Sequence, residues 1–381
     1  MGLAARLAAY YFAFFAHAGA YVSYFSLYLA GRGLSAGEIA FALAMPQLAR
    51  IVAPALWGWL ADAWGARYAS TRRAIIVFSA FAMLAGFIAL PFLERAGAIA
   101  SLLLLMSLLS AGASPLVEAI TFSVLEGRTG QYGPIRLWGS IGFILAVLGT
   151  GAWLDRAGTT VLTGILIGLA AATCAVALAL PAGAAAHAHR GGERLGTVLR
   201  RPEVLAFFGA CFCMTAAHGT QYVFYSIYLE QAGYSKTLIG ALWIVGVVAE
   251  VVLFLRLPQV MRRFSLRPLL LASFVCAVLR FPAIGWGVGS LLLLAAVQLL
   301  HAATFGAFHA GCVAAVHRLF PGALAARGQA FYSSIAYGLG GAAGSLIAGW
   351  TWVALGPSAS FMVSALFAAV GAALVAWKVR V

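Results

Sequence analysis

Acidic residues are scarce in this chain: Asp and Glu number 10 against 24 Lys and Arg, and all charged residues together make up 9% of its 381 positions. So little charge cannot solvate the surface of a water-soluble globule, where about 25% is ordinary. Cysteine is sparse too. Cys174, Cys211, Cys213, Cys276 and Cys312 all fall inside apolar runs, where cysteine acts as a small apolar residue, so no disulfide or zinc framework is implied. His187 and His189 form an H-x-H in a polar loop, but no further ligands accompany them and no metal is assigned. A phosphate loop of the form G-x-x-x-x-G-K followed by Ser or Thr is absent, as is any soluble domain. The pattern therefore argues against an enzyme, and it implies no cofactor.

What is present is apolar: 64% of the residues are hydrophobic. A helix needs roughly 20 mostly apolar residues to cross a hydrocarbon core of about 30 Å. Such runs predict twelve spans, near 7–30, 36–61, 73–93, 98–125, 134–154, 159–181, 203–230, 236–257, 267–286, 288–316, 325–350 and 357–378. The first is too long and too aromatic for the core of a cleavable signal peptide, and it is read as a span.

A net charge of +14 would suggest nucleic acid in a soluble protein, but here its distribution matters more than its sum. With the N-terminus in the cytoplasm, eighteen basic residues fall on that side, including Arg6, Arg67, Arg72, Arg73, Arg136, Arg200, Arg262 and Lys378. Four fall outside: Arg32, Arg95, Arg156 and Lys236. This asymmetry predicts both termini in the cytoplasm of a bacterial inner-membrane protein, with lipid and not nucleic acid as its surroundings.

The second half of the chain repeats the first at an offset near 200, as in carriers built from two related bundles. SLYLAGRGLSAGEIA at 26–40 lies over SIYLEQAGYSKTLIG at 226–240, pairing Tyr28 with Tyr228 and Gly33 with Gly233. The expected organisation is an all-α membrane protein of twelve transmembrane helices in two pseudo-symmetric six-helix bundles. Residues 1–181 would form the first bundle, 182–202 a basic cytoplasmic linker and 203–381 the second.

An ionised side chain at the centre of a membrane helix costs about 2.5–3.5 kcal/mol on insertion scales, so such residues tend to face a cavity or a partner. Here they are Arg50, Glu118, Glu250 and Arg280, joined by the titratable His17, His218, His301 and His309. Structural ion pairing is one reading of the group. The other is function: Glu250 and Arg280 lie at similar depth on consecutive spans, and a carboxylate facing a movable cation is a plausible proton carrier, with Arg50 as the rival partner. Glu118 follows a Ser-Pro break, where loosened backbone is tolerated beside something polar or wet. His17, Tyr21, Tyr24 and Tyr28 form one helical stripe; His218, Gln221, Tyr222 and Tyr225 form another. Either stripe can be packing or the wall of a substrate cavity, as can the pair His301 and His309 around Thr304. Gly340 and Gly344 carry small-xxx-small spacing, a close-packing signal.

GWLADAWGAR at 58–67 resembles the signature between helices 2 and 3 of the major facilitator superfamily, with Gly58, Asp62, Gly65 and Arg67 matching and Ala63 where a basic residue is usual. YGPIRLWGSIGF at 132–143, LIGALWIVGVVAEVVLF at 238–254, LLHAATFGAFHA at 299–310 and RGQAFYSSIAYGLGGAAG at 327–344 resemble the phenylpropionate permease branch. Lactose permease and the nucleoside-proton symporters are wider relatives of that branch. The likeness to lactose permease puts Glu118 and Arg136 on a sugar-binding Glu–Arg pair and His301 on a helix 10 histidine. Thr304 stands where that family carries its proton-bearing Glu. The resemblance thus implies a major facilitator fold; since Thr304 cannot carry a proton, coupling would need another site, with Glu250 the first candidate and Glu118 the second.

The sequence is accordingly expected to specify a proton-coupled symporter that imports a small organic solute by alternating access, acting as a monomer. An aromatic carboxylate such as phenylpropionate is the leading solute; a sugar or nucleoside, or uncoupled facilitation or export, is the alternative. The expected substrate residues are Glu118, Arg136, His17, Tyr21, Tyr24, Gln221, Tyr222, His301 and His309. Those for proton coupling are Glu250, Arg280 and Arg50.

Overall fold

A computed structural model describes residues 2–65, 70–125, 132–181 and 195–379. Every regular element among them is helical. The long helices are α1 (Leu3–Gly31), α2 (Ala36–Gly65), α3 (Thr71–Ala89), α4 (Ala96–Leu125), α5 (Tyr132–Ala157), α6 (Leu162–Leu178), α7 (Pro202–Gln231), α8 (Lys236–Arg263), α9 (Leu266–Trp286), α10 (Leu291–Leu319), α11 (Ala325–Leu355) and α12 (Pro357–Lys378). A five-residue turn, Leu195–Leu199, precedes α7.

Eleven described helices, all but α1, are long and apolar enough to cross a membrane. With 29 residues α1 is long enough as well, and its His, Tyr and Ser side chains dilute its hydropathy. Several helices outrun the spans expected from sequence, α8 reaching Arg263 and α2 Gly65. Helical hydrogen bonding does not stop where the apolar run does.

The described chain falls into two compact units: Met1–Ser35, Val52–Ala188 and Ser235–Ala241 in one, Ala36–Ile51, His189–Tyr234 and Leu242–Val381 in the other. The first six residues of α8, Lys236–Ala241, thus belong to the first unit, and the first half of α2 to the second. In the first unit α1 packs on α5 and α6, and α3 on α4 and α6; in the second, α12 packs on α7 and α9, and α11 on α7.

Glycine sets the closest approaches. A Cβ on Gly19 of α1 would lie 2.9 Å from the Phe143 carbonyl oxygen of α5, and one on Gly142 would strike the Phe12 backbone. The second unit repeats the device 200 positions on, where a Cβ on Gly219 of α7 would strike the backbone of Gly344 in α11. A Cβ on Gly344 itself would lie 2.5 Å from the Ala216 carbonyl oxygen, and one on Gly340 2.7 Å from that of Phe212. The small-xxx-small spacing in α11 is therefore a helix-to-helix contact.

Four of the long helices depart from regular α-geometry; α7 is interrupted by a turn at His218. In α4 the break falls at Ala111–Gly112, because Pro115 has no N–H for the fourth residue before it and its ring crowds that carbonyl. Two carbonyls beside the break find side-chain donors: Trp57 Nε1–H donates to Leu108 O at 2.7 Å and Ser79 Oγ–H to Leu109 O at 3.1 Å. Helices α10 and α11 each contain a π-helical stretch, Ala302–Ala307 and Ser333–Gly340, a wider winding often found at functional sites.

Candidate functional site

Polar side chains gather in two clusters, one in each unit. In the first unit α5 carries Arg136 one turn before Gly139, and a Cβ at Gly139 would lie 2.7 Å from a terminal guanidinium nitrogen of Arg136 and 2.9 Å from the Phe15 ring. The missing side chain makes the room in which the guanidinium lies on aromatic faces, 3.9 Å from the Phe15 centroid and 5.4 Å from that of Tyr11. Such cation–π contact holds a guanidinium flat without using up its donors. Glu118, on the far side of the α4 break, is half-buried and an electrostatic neighbour of Arg136, as is Tyr132. Tyr132 stacks on Phe122 at 4.8 Å, and the Tyr11 hydroxyl bonds Thr121 Oγ1 at 3.1 Å. A half-buried cation on an aromatic wall, with a carboxyl close by, is thus assembled from α1, α4 and α5.

The α1 stripe divides in use. His17 is buried with its Nε2 lacking a hydrogen-bond partner, and its ring meets Phe87 at 4.9 Å and Tyr21 at 6.4 Å. The Tyr24 hydroxyl instead lies within donating distance of two backbone carbonyls, Val147 O at 2.8 Å and Lys236 O at 3.0 Å. Tyr28 accepts from Arg32 at 2.9 Å.

In the second unit the centre is Arg280 of α9, fully buried. Its guanidinium donates to Gln298 Oε1 at 2.6 Å and to Thr304 Oγ1 at 3.0 Å, while Nε has no partner. Among the described residues no carboxylate lies within ion-pairing distance of it. Glu250 faces His301, with Oε2 3.8 Å from Nε2. Two glycines permit this approach of α8 to α10: a Cβ on Gly246 would lie 3.2 Å from the His301 side chain, and one on Gly306 would lie 3.0 Å from that of Glu250. Tyr222 of α7 is the shared electrostatic neighbour of Glu250, Arg280 and Arg50.

His218 donates Nδ1–H to Met214 O at 2.8 Å, since a carbonyl only accepts, and this leaves Nε2 as a buried group with no partner. Neither amide atom of the buried Gln221 has a partner. His309 Nδ1 lies 3.1 Å from the Tyr332 hydroxyl and 3.0 Å from that of Tyr337, whose ring lies 6.0 Å from the Arg50 guanidinium. Met214, Thr215, His218, Tyr222, Thr304, Phe305, Phe308 and Tyr337 enclose a cavity of about 20 Å³. That is room for water and not for an organic solute.

The MFS_1 like family matches residues 4–363. The chain belongs to that family. It is a multi-pass carrier of small solutes with the major facilitator fold, and not an enzyme. Among curated proteins it is 31% identical over 370 residues to a probable 3-phenylpropionic acid transporter of Escherichia coli K12, covering 95% of this chain and 94% of that one. It is 27% identical over 343 residues to a putative nucleoside transporter, YegT, of the same organism, covering 83% and 78%. Among solved structures, a mutant of the nucleoside transporter NupG aligns over 100% of both chains with a TM-score of 0.85 at 17% identity, a likeness of fold.

Within that family signature Gly58 is helical, and a Cβ there would meet nothing within 4 Å. Asp62 and Gly65 continue the helix, and Arg67 lies outside the described residues. Gln298, Tyr332 and Tyr337 also belong to the second cluster, and of the three only Gln298 carries a sequence signal, as the one amide in a long apolar run. A direct test of the first cluster is Gly139→Ala. The added methyl displaces Arg136 from its wall, so KM for uptake should rise several-fold with the melting temperature in detergent nearly unchanged. Gly168→Ala, where a Cβ meets nothing within 4 Å, should leave both alone.

Proposed function

We propose that the protein is a proton-coupled symporter that imports a small aromatic carboxylate across a bacterial inner membrane, as a monomer with both termini cytoplasmic. The observation that carries this reading is the setting of Arg136: a guanidinium 3.9 Å from one aromatic centroid and 5.4 Å from another, beside a carboxyl. An aryl carboxylate has the two halves this place accommodates, an anion for the guanidinium donors that Tyr132 does not take and a ring for the aromatic wall. An arriving carboxylate and an ionised Glu118 compete for the same cation, so substrate and proton on that side travel best together. His17 and Tyr21 extend the wall along α1.

Glu250 is the proposed main proton carrier, with His301 its partner. Arg280, held on Thr304 and Gln298, and Arg50 supply the fixed positive field near it, while Gln221, Tyr222 and His309 complete a solute-facing surface. The similarity to a probable 3-phenylpropionic acid transporter supports the choice of solute, and the excess of arginine in the assigned cytoplasmic loops supports the orientation. We take the six-helix bundles at 1–181 and 203–381 as the moving parts of alternating access, joined by 182–202, of which 182–194 lies outside the described residues.

A second reading, a sugar or nucleoside symporter, draws on the proximity of Glu118 to Arg136, since a carboxylate and a guanidinium together suit vicinal hydroxyls. The discriminating experiment is uptake into proteoliposomes under an inward proton gradient. The carboxylate reading expects labelled 3-phenylpropionate to accumulate while unlabelled uridine and maltose fail to compete.

A further inference from the structure

Asp155, at the end of α5, accepts three hydrogen bonds from the first residues of α8. Lys236 N–H donates to Oδ1 at 2.6 Å; Thr237 N–H and its hydroxyl donate to Oδ2 at 3.0 and 2.6 Å. The first turn of a helix leaves such N–H groups without internal partners and is the positive end of its dipole, so one carboxylate meets both needs. Asp155 is itself exposed and belongs to neither polar cluster.

The surroundings are shaped for this join. A Cβ on Gly151, one turn before Asp155, would lie 2.8 Å from Lys236 O and 2.9 Å from Thr237 Cα. One on Gly240 would strike the Tyr24 hydroxyl, which sits 3.0 Å from Lys236 O. All these residues belong to the first unit, and from Leu242 onward α8 belongs to the second. The latched turn is thus the last piece of α8 before the helix changes unit.

The internal repeat supplies a comparison. In the second unit Gly349 of α11 packs against Ala40 and the first turn of α2, as Gly151 packs against the first turn of α8. Four residues after Gly151 stands Asp155; four after Gly349 stands Val353, 70% exposed and unable to accept a hydrogen bond. The carboxylate is present at one of two related joins, so helix packing alone does not require it.

We propose that Asp155 is a positioning residue for transport: it latches the first turn of α8 onto α5 while the outer side is closed, and its release is the step that opens that side. This rests on the orientation given above, which places Lys236 in an outer loop. Its part is to hold a helix end in place, not to bind solute or carry the proton.

The test is a cysteine reporter at Val147, which is fully buried beneath the join and whose carbonyl lies 2.8 Å from the Tyr24 hydroxyl. Val147→Cys in intact cells is treated from outside with a membrane-impermeant maleimide, with the parent protein and its five native cysteines as baseline. Adding Asp155→Ala should speed labelling at least several-fold, and Thr237→Val, which removes one of the three bonds, should do so by less. Unchanged labelling in a normally folded Asp155→Ala protein overturns the latch. So does acceleration seen only when the reagent reaches the cytoplasmic face in inverted vesicles. If labelling from outside accelerates but no variant, the parent included, takes up 3-phenylpropionate, the substrate reading fails and the latch stands.

Discussion

Glu250→Gln should abolish accumulation of solute against its gradient while leaving exchange of labelled for unlabelled solute close to the parent rate. The substitution keeps the size and hydrogen-bonding reach of the side chain and removes only its ability to bind and release a proton. Glu250 sits on Gly306, 3.8 Å from His301 and in a setting that also contains the buried Arg280. A glutamine there fits the same space. In exchange, loaded protein shuttles between its two sides without discharging a proton, so a permanently neutral residue is tolerated. In uphill uptake the proton must leave inside, and the variant has none to lose. Proteoliposomes measured under a pH gradient and in counterflow separate the two. Loss of both activities would make Glu250 a structural residue, and retention of both would move coupling elsewhere, with Glu118 next.

Arg136→Ala should raise KM for an aryl carboxylate by about 10- to 150-fold. Hydrogen bonds to charged groups are worth about 1.5–3 kcal/mol, and each 1.4 kcal/mol is tenfold in affinity. Arg136→Lys should recover part of this, since it restores the charge but not the planar group that lies on Phe15 and Tyr11. Stability should fall little, because Arg136 is half-buried and its packing partners are ring faces. A parent-like KM in Arg136→Ala would remove the carboxylate from this cluster.

The helical membrane fold was legible because composition and periodicity act over whole spans: twenty apolar residues have few other homes. The rotational facing of single side chains was less so. Depth matched Glu250 to Arg280, yet Arg280 turns to Gln298 and Thr304, since helices at equal depth can still be rotated apart. His301 and His309, two turns apart in an ideal helix, face different neighbours because the π-helical turn at Ala302–Ala307 intervenes: Glu250 for one, Tyr332 and Tyr337 for the other. Tyr24 continued the aromatic stripe of α1 in sequence, but the Val147 and Lys236 carbonyls that meet its hydroxyl come from chain segments over 100 and 200 residues away. No local pattern encodes that. Glu118 could be placed beside a break because Pro115 acts on its own helix, and that kind of constraint is readable locally.

If an anion and protons cross together, the pH of a weakly buffered suspension of proteoliposomes reports it. The carrier is inserted with its assigned outer face outward, and 3-phenylpropionate is added with no gradient imposed. Symport should alkalinise the outer medium on addition, in a response that saturates with solute and is absent in Glu250→Gln. Uptake of the labelled acid by the parent with no movement of external pH would contradict it.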